Sequence, residues 1–448
     1  MLRAPRSVRP IAACVVLVAV VMACVAASEG PARGLSSRLP IVVIDADGPI
    51  VDDPKVGATM RVIHRGGGAL NRTGDAADVY DGRIRIEVRG RSSQRFPKKQ
   101  FALETVDAQG DNRNVRLLGM PRENDWILYA AYNDATSMRN VVAYRAARFM
   151  DRYAARTRFV ELVLNGRYWG VYVLMESLKL DDDRVTSPVP GSEGFLLEFT
   201  DGARLGPRDE FVRTPVSRTP IVFADPRRRD MEPSRVRAVA GRLRAYERAL
   251  YGRDFRHPVR GYRRHLDLQA AVDYALLNEF LRNRDAFRAS TFIHEGRGGR
   301  LAMGPVWDFD LAMGYPRSTS GPQGCTLCGR RWAARWYDDP AFVRAMTRRW
   351  AQLRRRGLVR RLVTEIERDG QLVADAQVRN LRRWRRLGPV PVSRTISDPV
   401  LRDTYLQETR RLTQWLRARE AWMTANLPRI GRMRAAPDSV ADSVGDAG

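Results

Sequence analysis

Cysteine is nearly absent from this 448-residue chain: four occur, and two of them, Cys14 and Cys24, lie among the first 27 residues. That scarcity excludes a disulfide framework. It also excludes a four-thiolate zinc site, because Cys325-Thr-Leu-Cys328 offers two thiols and no nearby histidine. The surrounding Gly321-Pro-Gln-Gly-Cys325 reads as a loop, so a local structural disulfide is expected. Lysine is equally scarce. Lys55, Lys98, Lys99 and Lys179 are the only four, so the net charge of +26 is carried almost wholly by arginine. Such a surface attracts acidic substrates, nucleotides or anionic polymers. The densest runs, Arg354-Arg-Arg356 and Arg382-Arg-Trp-Arg-Arg386, come with no DNA- or RNA-binding motif, so no specific nucleic-acid partner is expected. No internal repeat stands out. Beyond the N-terminal segment no apolar run is long enough to span a bilayer.

The N-terminal segment itself has the layout of an export signal. Arg3, Arg6 and Arg9 precede an apolar stretch from Ile11 to Val25, and Val25-Ala-Ala27 supplies small residues before a cleavage point. Residues 1–27 read as a signal peptide and 28–37 as a linker, so the expected destination is secretion or the cell envelope. Cys24, in Val-Met-Ala-Cys, offers a site for lipid attachment and hence for peripheral or lipid-anchored membrane association.

Residues 38–432 read as one α+β domain, with a β-rich part over 38–225 and a mostly helical part over 226–432. Leu39–Ile44, Ala58–His64 and Arg83–Arg89 have strand patterns, and Gln100–Glu104 is a partner for the last of these. Phe159–Leu164 and Tyr168–Leu174 flank Asn165-Gly166, the preferred pair for a tight hairpin turn. A helix is expected from Asn133 to about Asp151, capped by Asp134 or Thr136. Two more are expected over Val236–Leu250 and Asp267–Asn283, and several Arg-rich amphipathic helices over 340–430. The tail, 433–448, is small and acidic and reads as disordered.

The chemistry gathers late in the chain. A helix ends near Asn283, a loop carries Asp285, and a strand follows over Ser290–His294. After a Gly-rich turn comes a second strand, Arg300–Val306, and then Asp308-Phe-Asp310. A hairpin returns its ends to one place, so these carboxylates are expected to share a pocket. Paired hard oxygens suit a divalent cation carrying a polyphosphate, which points to phosphoryl transfer. Helix, acidic loop, hairpin and acidic loop is also the order found in the catalytic half of a protein kinase.

Six blocks, in order, resemble the spore coat protein H (CotH) family of atypical secreted kinases. They are Leu39-Pro-Ile-Val-Val-Ile-Asp45; Arg89-Gly-Arg-Ser-Ser93 with Phe96-Pro-Lys-Lys99; Glu123-Asn-Asp-Trp-Ile-Leu128; Asn133-Asp134 with Met138-Arg-Asn140; Leu164-Asn-Gly-Arg-Tyr-Trp-Gly-Val-Tyr172 with Glu176; and Trp307-Asp-Phe-Asp310. The resemblance implies an atypical protein-kinase-like fold and an exported enzyme that moves the γ-phosphoryl group of ATP, with Mg²⁺ or Mn²⁺, onto Ser or Thr hydroxyls of a protein. It implies Asp285 as the catalytic aspartate and Asp308 as a metal ligand; Asp310 reads either as a further metal ligand or as a cap on the next turn. Arg89, Ser92, Lys98, Lys99 and Glu176 are implied around the nucleotide. One departure stands out: Ser290 occupies the position where such kinases place a metal-binding Asn, and a hydroxyl is a poorer ligand. The alternative expectation is therefore a weak or inactive kinase-like surface protein that binds anionic partners.

Overall fold

The computed structural model describes residues 34–206, 209–315 and 321–433. The signal peptide and the tail fall outside these residues, apart from Met433 at the tail's start, and the linker is described from Gly34 onward. Seven strands close a barrel: β1 (Ile41–Ala46), β2 (Val56–Ile63), β3 (Tyr80–Arg89), β4 (Gln100–Thr105), β5 (Asp125–Tyr129), β6 (Thr157–Leu164) and β7 (Arg167–Glu176). The order around it is β1-β2-β3-β4-β5-β7-β6, and it closes by a parallel pairing of β6 with β1. Alternation decides which side chains fill it. Val42, Ile44, Ile84, Ile86, Trp126, Leu128, Val160, Leu162, Tyr172 and Leu174 point inward. Their neighbours Ile127, Tyr129, Val171, Val173 and Met175 face outward into the main core. Asn165 and Gly166 turn the β6–β7 hairpin at φ +50° and +71°, the left-handed pair that such a turn requires.

Helix α1 runs over Arg139–Phe149, later than the sequence pattern suggested. Asp134 causes the delay. Its carboxylate accepts the amide hydrogens of Thr136 (2.9 Å) and Arg139 (2.8 Å) and pairs with the Arg139 guanidinium, so residues 134–138 turn locally instead of winding into helix. Behind the barrel lies a second, antiparallel sheet of β8 (Leu196–Phe199), β9 (Phe211–Arg213), β10 (Pro220–Asp225), β11 (Thr291–Glu295) and β12 (Leu301–Met303), in the order β9-β10-β8-β11-β12. The helices that follow and flank it are α2 (Pro233–Tyr251), α3 (Leu268–Leu281), α4 (Arg331–Tyr337), α5 (Pro340–Arg355), α6 (Leu358–Trp384) and α7 (Asp398–Asn426). The architecture is thus α+β, β-rich toward the N terminus and helical toward the C terminus. No helix among the described residues is long and apolar enough to cross a membrane. Cys325 and Cys328 are joined by a disulfide.

Two polar junctions tie the layers together. At the first, α6 lies against β7. Asn380 Oδ1 accepts from Lys98 Nζ (2.9 Å) and from the Val171 amide (3.2 Å), and Trp384 Nε1 donates to the Trp169 carbonyl (2.7 Å). Gly170, at φ +105°, permits this approach, because a Cβ there would lie 2.3 Å from Asn380 Oδ1. At the second, Glu279 of α3 and Arg419 of α7 form an ion pair at 2.8 Å with neither side chain exposed. Glu279 also accepts from the amides of Thr326 (2.8 Å) and Leu327 (2.9 Å) and from the Tyr337 hydroxyl (3.2 Å). Arg419 donates to the carbonyls of Glu279 (2.7 Å), Pro322 and Gly324 (2.8 Å each). Burial pushes the Arg419 guanidinium down to about 10, so it stays charged at neutral pH.

Removing one partner of such a pair strands a buried charge. Arg419→Met is expected to cost about 3–5 kcal/mol, read as a lower urea midpoint. The double variant Glu279→Gln/Arg419→Met should recover much of that loss, which a simple cavity effect would not allow.

Candidate active site

Asp285 follows the end of α3, where Arg282 takes a left-handed cap conformation (φ +50°). Asn283 Oδ1 accepts the Asp285 amide hydrogen (3.1 Å), and the Asp285 carbonyl accepts from Arg288 (2.8 Å) and Ala289 (2.9 Å). The β11–β12 hairpin then leaves and returns, with Ile293 opposite Met303 and the Gly304 amide donating to the Phe292 carbonyl at 2.9 Å. Its open end brings Ser290 beside Asp308, with Ser290 Oγ donating to Asp308 Oδ2 at 3.3 Å. Both residues are left-handed, at φ +49° and +60°. Such a backbone costs a non-glycine residue roughly 1–3 kcal/mol and persists only when its surroundings hold it.

The start of α1 is what holds the second acidic loop. Asn140 Oδ1 accepts the Phe309 amide hydrogen (2.6 Å), and Arg139 Nε donates to the Ala312 carbonyl (2.9 Å). Phe309 is fully buried, and the Met313 amide returns to the Leu281 carbonyl at 2.8 Å. The Met138-Arg-Asn140 block is therefore a clamp on Asp308-Phe-Asp310.

The outcome is one acidic pocket. Asp285, Asp308 and Asp310 each present a carboxylate oxygen within 4.8 Å of the others. Asp285 is buried, and Arg204 stands 3.5 Å from it. Burial first, and then the Asp308 and Asp285 charges, push the Asp310 carboxyl well above the usual carboxylate range. Asp308 is raised too, by burial and by Asp285, while the Asp310 hydrogen bond, Arg89 and Ser290 oppose the shift. Three hard oxygen donors gathered in one pocket are the donor set that a magnesium or manganese ion satisfies.

The other sequence candidates are distributed differently. Arg89 faces this pocket: burial pushes its guanidinium down and the Asp308 charge draws it back up. Ser92 is exposed, in the short turn Ser92–Arg95 that follows β3. Lys98 is not in the pocket. It is buried against α6, where it donates to Val171 O (2.5 Å) and Asn380 Oδ1 and lies 4.6 Å over the Tyr172 ring. Burial pushes its ammonium down to about 7. Lys99 Nζ donates to the Gln94 carbonyl at 2.5 Å, at the base of the same loop. Glu176 is held by Arg156 (2.8 Å) and Tyr153 (3.3 Å) and does not meet either lysine.

Two neighbours of the pocket escaped the sequence reading. Glu198, on β8, stands near the Ser290 amide and Asp308, and burial raises its carboxyl. The signal was a lone acid inside Phe195-Leu-Leu-Glu-Phe199. Tyr144, buried in α1, stacks on Trp307 at 5.6 Å and 16°. It lies one helical turn after Asn140 and so shares its face.

A carboxyl raised in the fold costs stability above its unfolded value, and that cost vanishes once both states are protonated. Asp310→Asn should therefore raise the melting temperature of the metal-free protein near pH 7. The gain should shrink to nothing as pH falls below about 4. The same variant should bind Mn²⁺ more weakly by calorimetry.

Comparison with known proteins gives this geometry a family. No curated protein matches the chain. Among solved structures, a chain from the HipA–HipB toxin–antitoxin complex with its operator DNA, from Shewanella oneidensis MR-1, aligns at 13% identity and a TM-score of 0.27. The alignment covers 75% of this chain and 66% of that one, just under two thirds, and is too loose to bear on the fold. The model of the family described as CotH kinase protein matches residues 86–423, a span that takes in the acidic pocket, its clamp and both polar junctions. The chain belongs to the CotH kinase family.

Proposed function

We propose that this kinase-like protein is an exported enzyme that transfers the γ-phosphoryl group of ATP to Ser or Thr hydroxyls of a protein. The convergence of Asp285, Asp308 and Asp310 on one pocket carries this reading. Asp308 and Asp310 would hold a Mg²⁺ or Mn²⁺ ion, whose charge offsets that of the phosphates. Ser290 adds a hydroxyl where the family places an amide, and Asp310 supplies the second strong donor. Asp285, fixed by Asn283 and facing Arg204, is suited to orient the acceptor hydroxyl and take its proton as the new P–O bond forms and ADP leaves. Arg89 and Arg204 supply positive charge beside the acids. Lys98 has no part in this reading, because its ammonium is committed to α6. Export rests on the N-terminal segment, and an envelope-attached form would use Cys24.

The test is label transfer from γ-labelled ATP to a generic acceptor protein by the mature chain with Mg²⁺ or Mn²⁺. Asp285→Ala and Asp308→Ala should each lower transfer at least about a hundredfold, while Lys98→Met should leave ATP affinity within a few-fold. A mature chain that binds nucleotide with neither cation would refute the enzyme reading.

A further inference from the structure

We propose that the Tyr144 hydroxyl is a ligand-binding group of this pocket: it donates a hydrogen bond to an oxygen that arrives with the cation and nucleotide. The inference rests on the kinase reading and deepens it.

Tyr144 is fully buried, yet its hydroxyl has no hydrogen-bond partner among the described residues. Native proteins rarely leave such a group orphaned, and the exceptions concentrate where a ligand, ion or water completes the site. Its surroundings say which kind. The charged groups it senses are Asp308, Arg89 and Asp310, the acids and the arginine of the active pocket. The Asp308 amide stands by its oxygen, and the hydroxyl hydrogen has no acceptor among the described residues. The ring cannot swing toward a different partner. It is packed in the core and stacked on Trp307, the residue before Asp308. Asn140, one turn earlier on the same face, already holds the Phe309 amide. One helical face thus presents two polar groups to the Asp308 loop: one fixes the backbone, and the other has its donor free. Phenylalanine would fill the same space without the unmet hydrogen bond. The missing acceptor is an anionic or metal-polarised oxygen, either a phosphate oxygen of the nucleotide or a water on the cation.

Tyr144→Phe tests this directly, because it keeps the ring and removes one oxygen. The ligand-free variant is expected to melt at or above the wild-type temperature. Its affinity for ligand should fall about tenfold, the worth of a hydrogen bond to a charged acceptor. Mn²⁺ alone, followed by spin resonance, and ATP with Mg²⁺, followed by calorimetry, separate the two sources. Loss with Mn²⁺ alone assigns the acceptor to cation-bound water; loss only with ATP assigns it to phosphate. If the variant binds both as tightly as wild type, the inference falls and the kinase reading stands. If the ligand-free variant melts clearly lower, the hydroxyl has an internal partner and the inference also falls. Wild-type protein that binds neither probe would remove the kinase reading and the inference with it.

Discussion

The interaction on which the rest of this structure leans is the ion pair between Glu279 and Arg419. Both side chains are fully dry, and every oxygen and nitrogen that they expose to one another or to the chain is used. Because a buried charge without a partner is so unfavourable, the pair permits one arrangement of three distant segments: α3, α7 and the loop through Cys325 and Leu327. α3 is the helix that delivers Asp285. The position of the catalytic candidate is therefore braced from behind, by a charge near the C terminus, as well as by Asn283 beside it.

Much of the site was legible in the sequence because it is local. A hairpin bracketed by Asp285 and Asp308 needs no knowledge of the remaining chain for its ends to meet, and Ser290 falls beside Asp308 as that logic requires. The Asn165-Gly166 turn and the alternation in β3 are local in the same sense. What stayed hidden depends on contacts between remote segments. The β1–β6 pairing that closes the barrel joins Ile41 to Glu161, and no pattern in either strand announces it. The family resemblance implied Lys98 around the nucleotide. It is held instead by Val171 O and by Asn380, which lies nearly at the other end of the domain. The start of α1 was misjudged for a different reason: its N-cap is Met138 rather than Asp134 or Thr136, because Asp134 organises its own turn and holds the Arg139 amide from outside the helix.

The acidic pocket explains part of the arginine surplus. Arg89, Arg139 and Arg204 each stand near a carboxylate of the pocket or its clamp, and Arg91 pairs with Asp209 beside Glu198. Guanidinium groups suit this work, since they remain charged when buried and offer forked donors to carboxylates. Other arginines, among them Arg237, Arg244, Arg355, Arg360, Arg410 and Arg417, are exposed on α2 and α5–α7, where their main effect is on the long-range field.

Gly170 and Asn380 carry a consequence for how the molecule comes into being. The barrel is encoded before residue 177, yet one of its strands carries a glycine notch that only a side chain 210 residues later fills. Until that helix is synthesised, Lys98 has no amide oxygen to receive its ammonium. A growing chain thus carries an unfinished barrel for most of its synthesis.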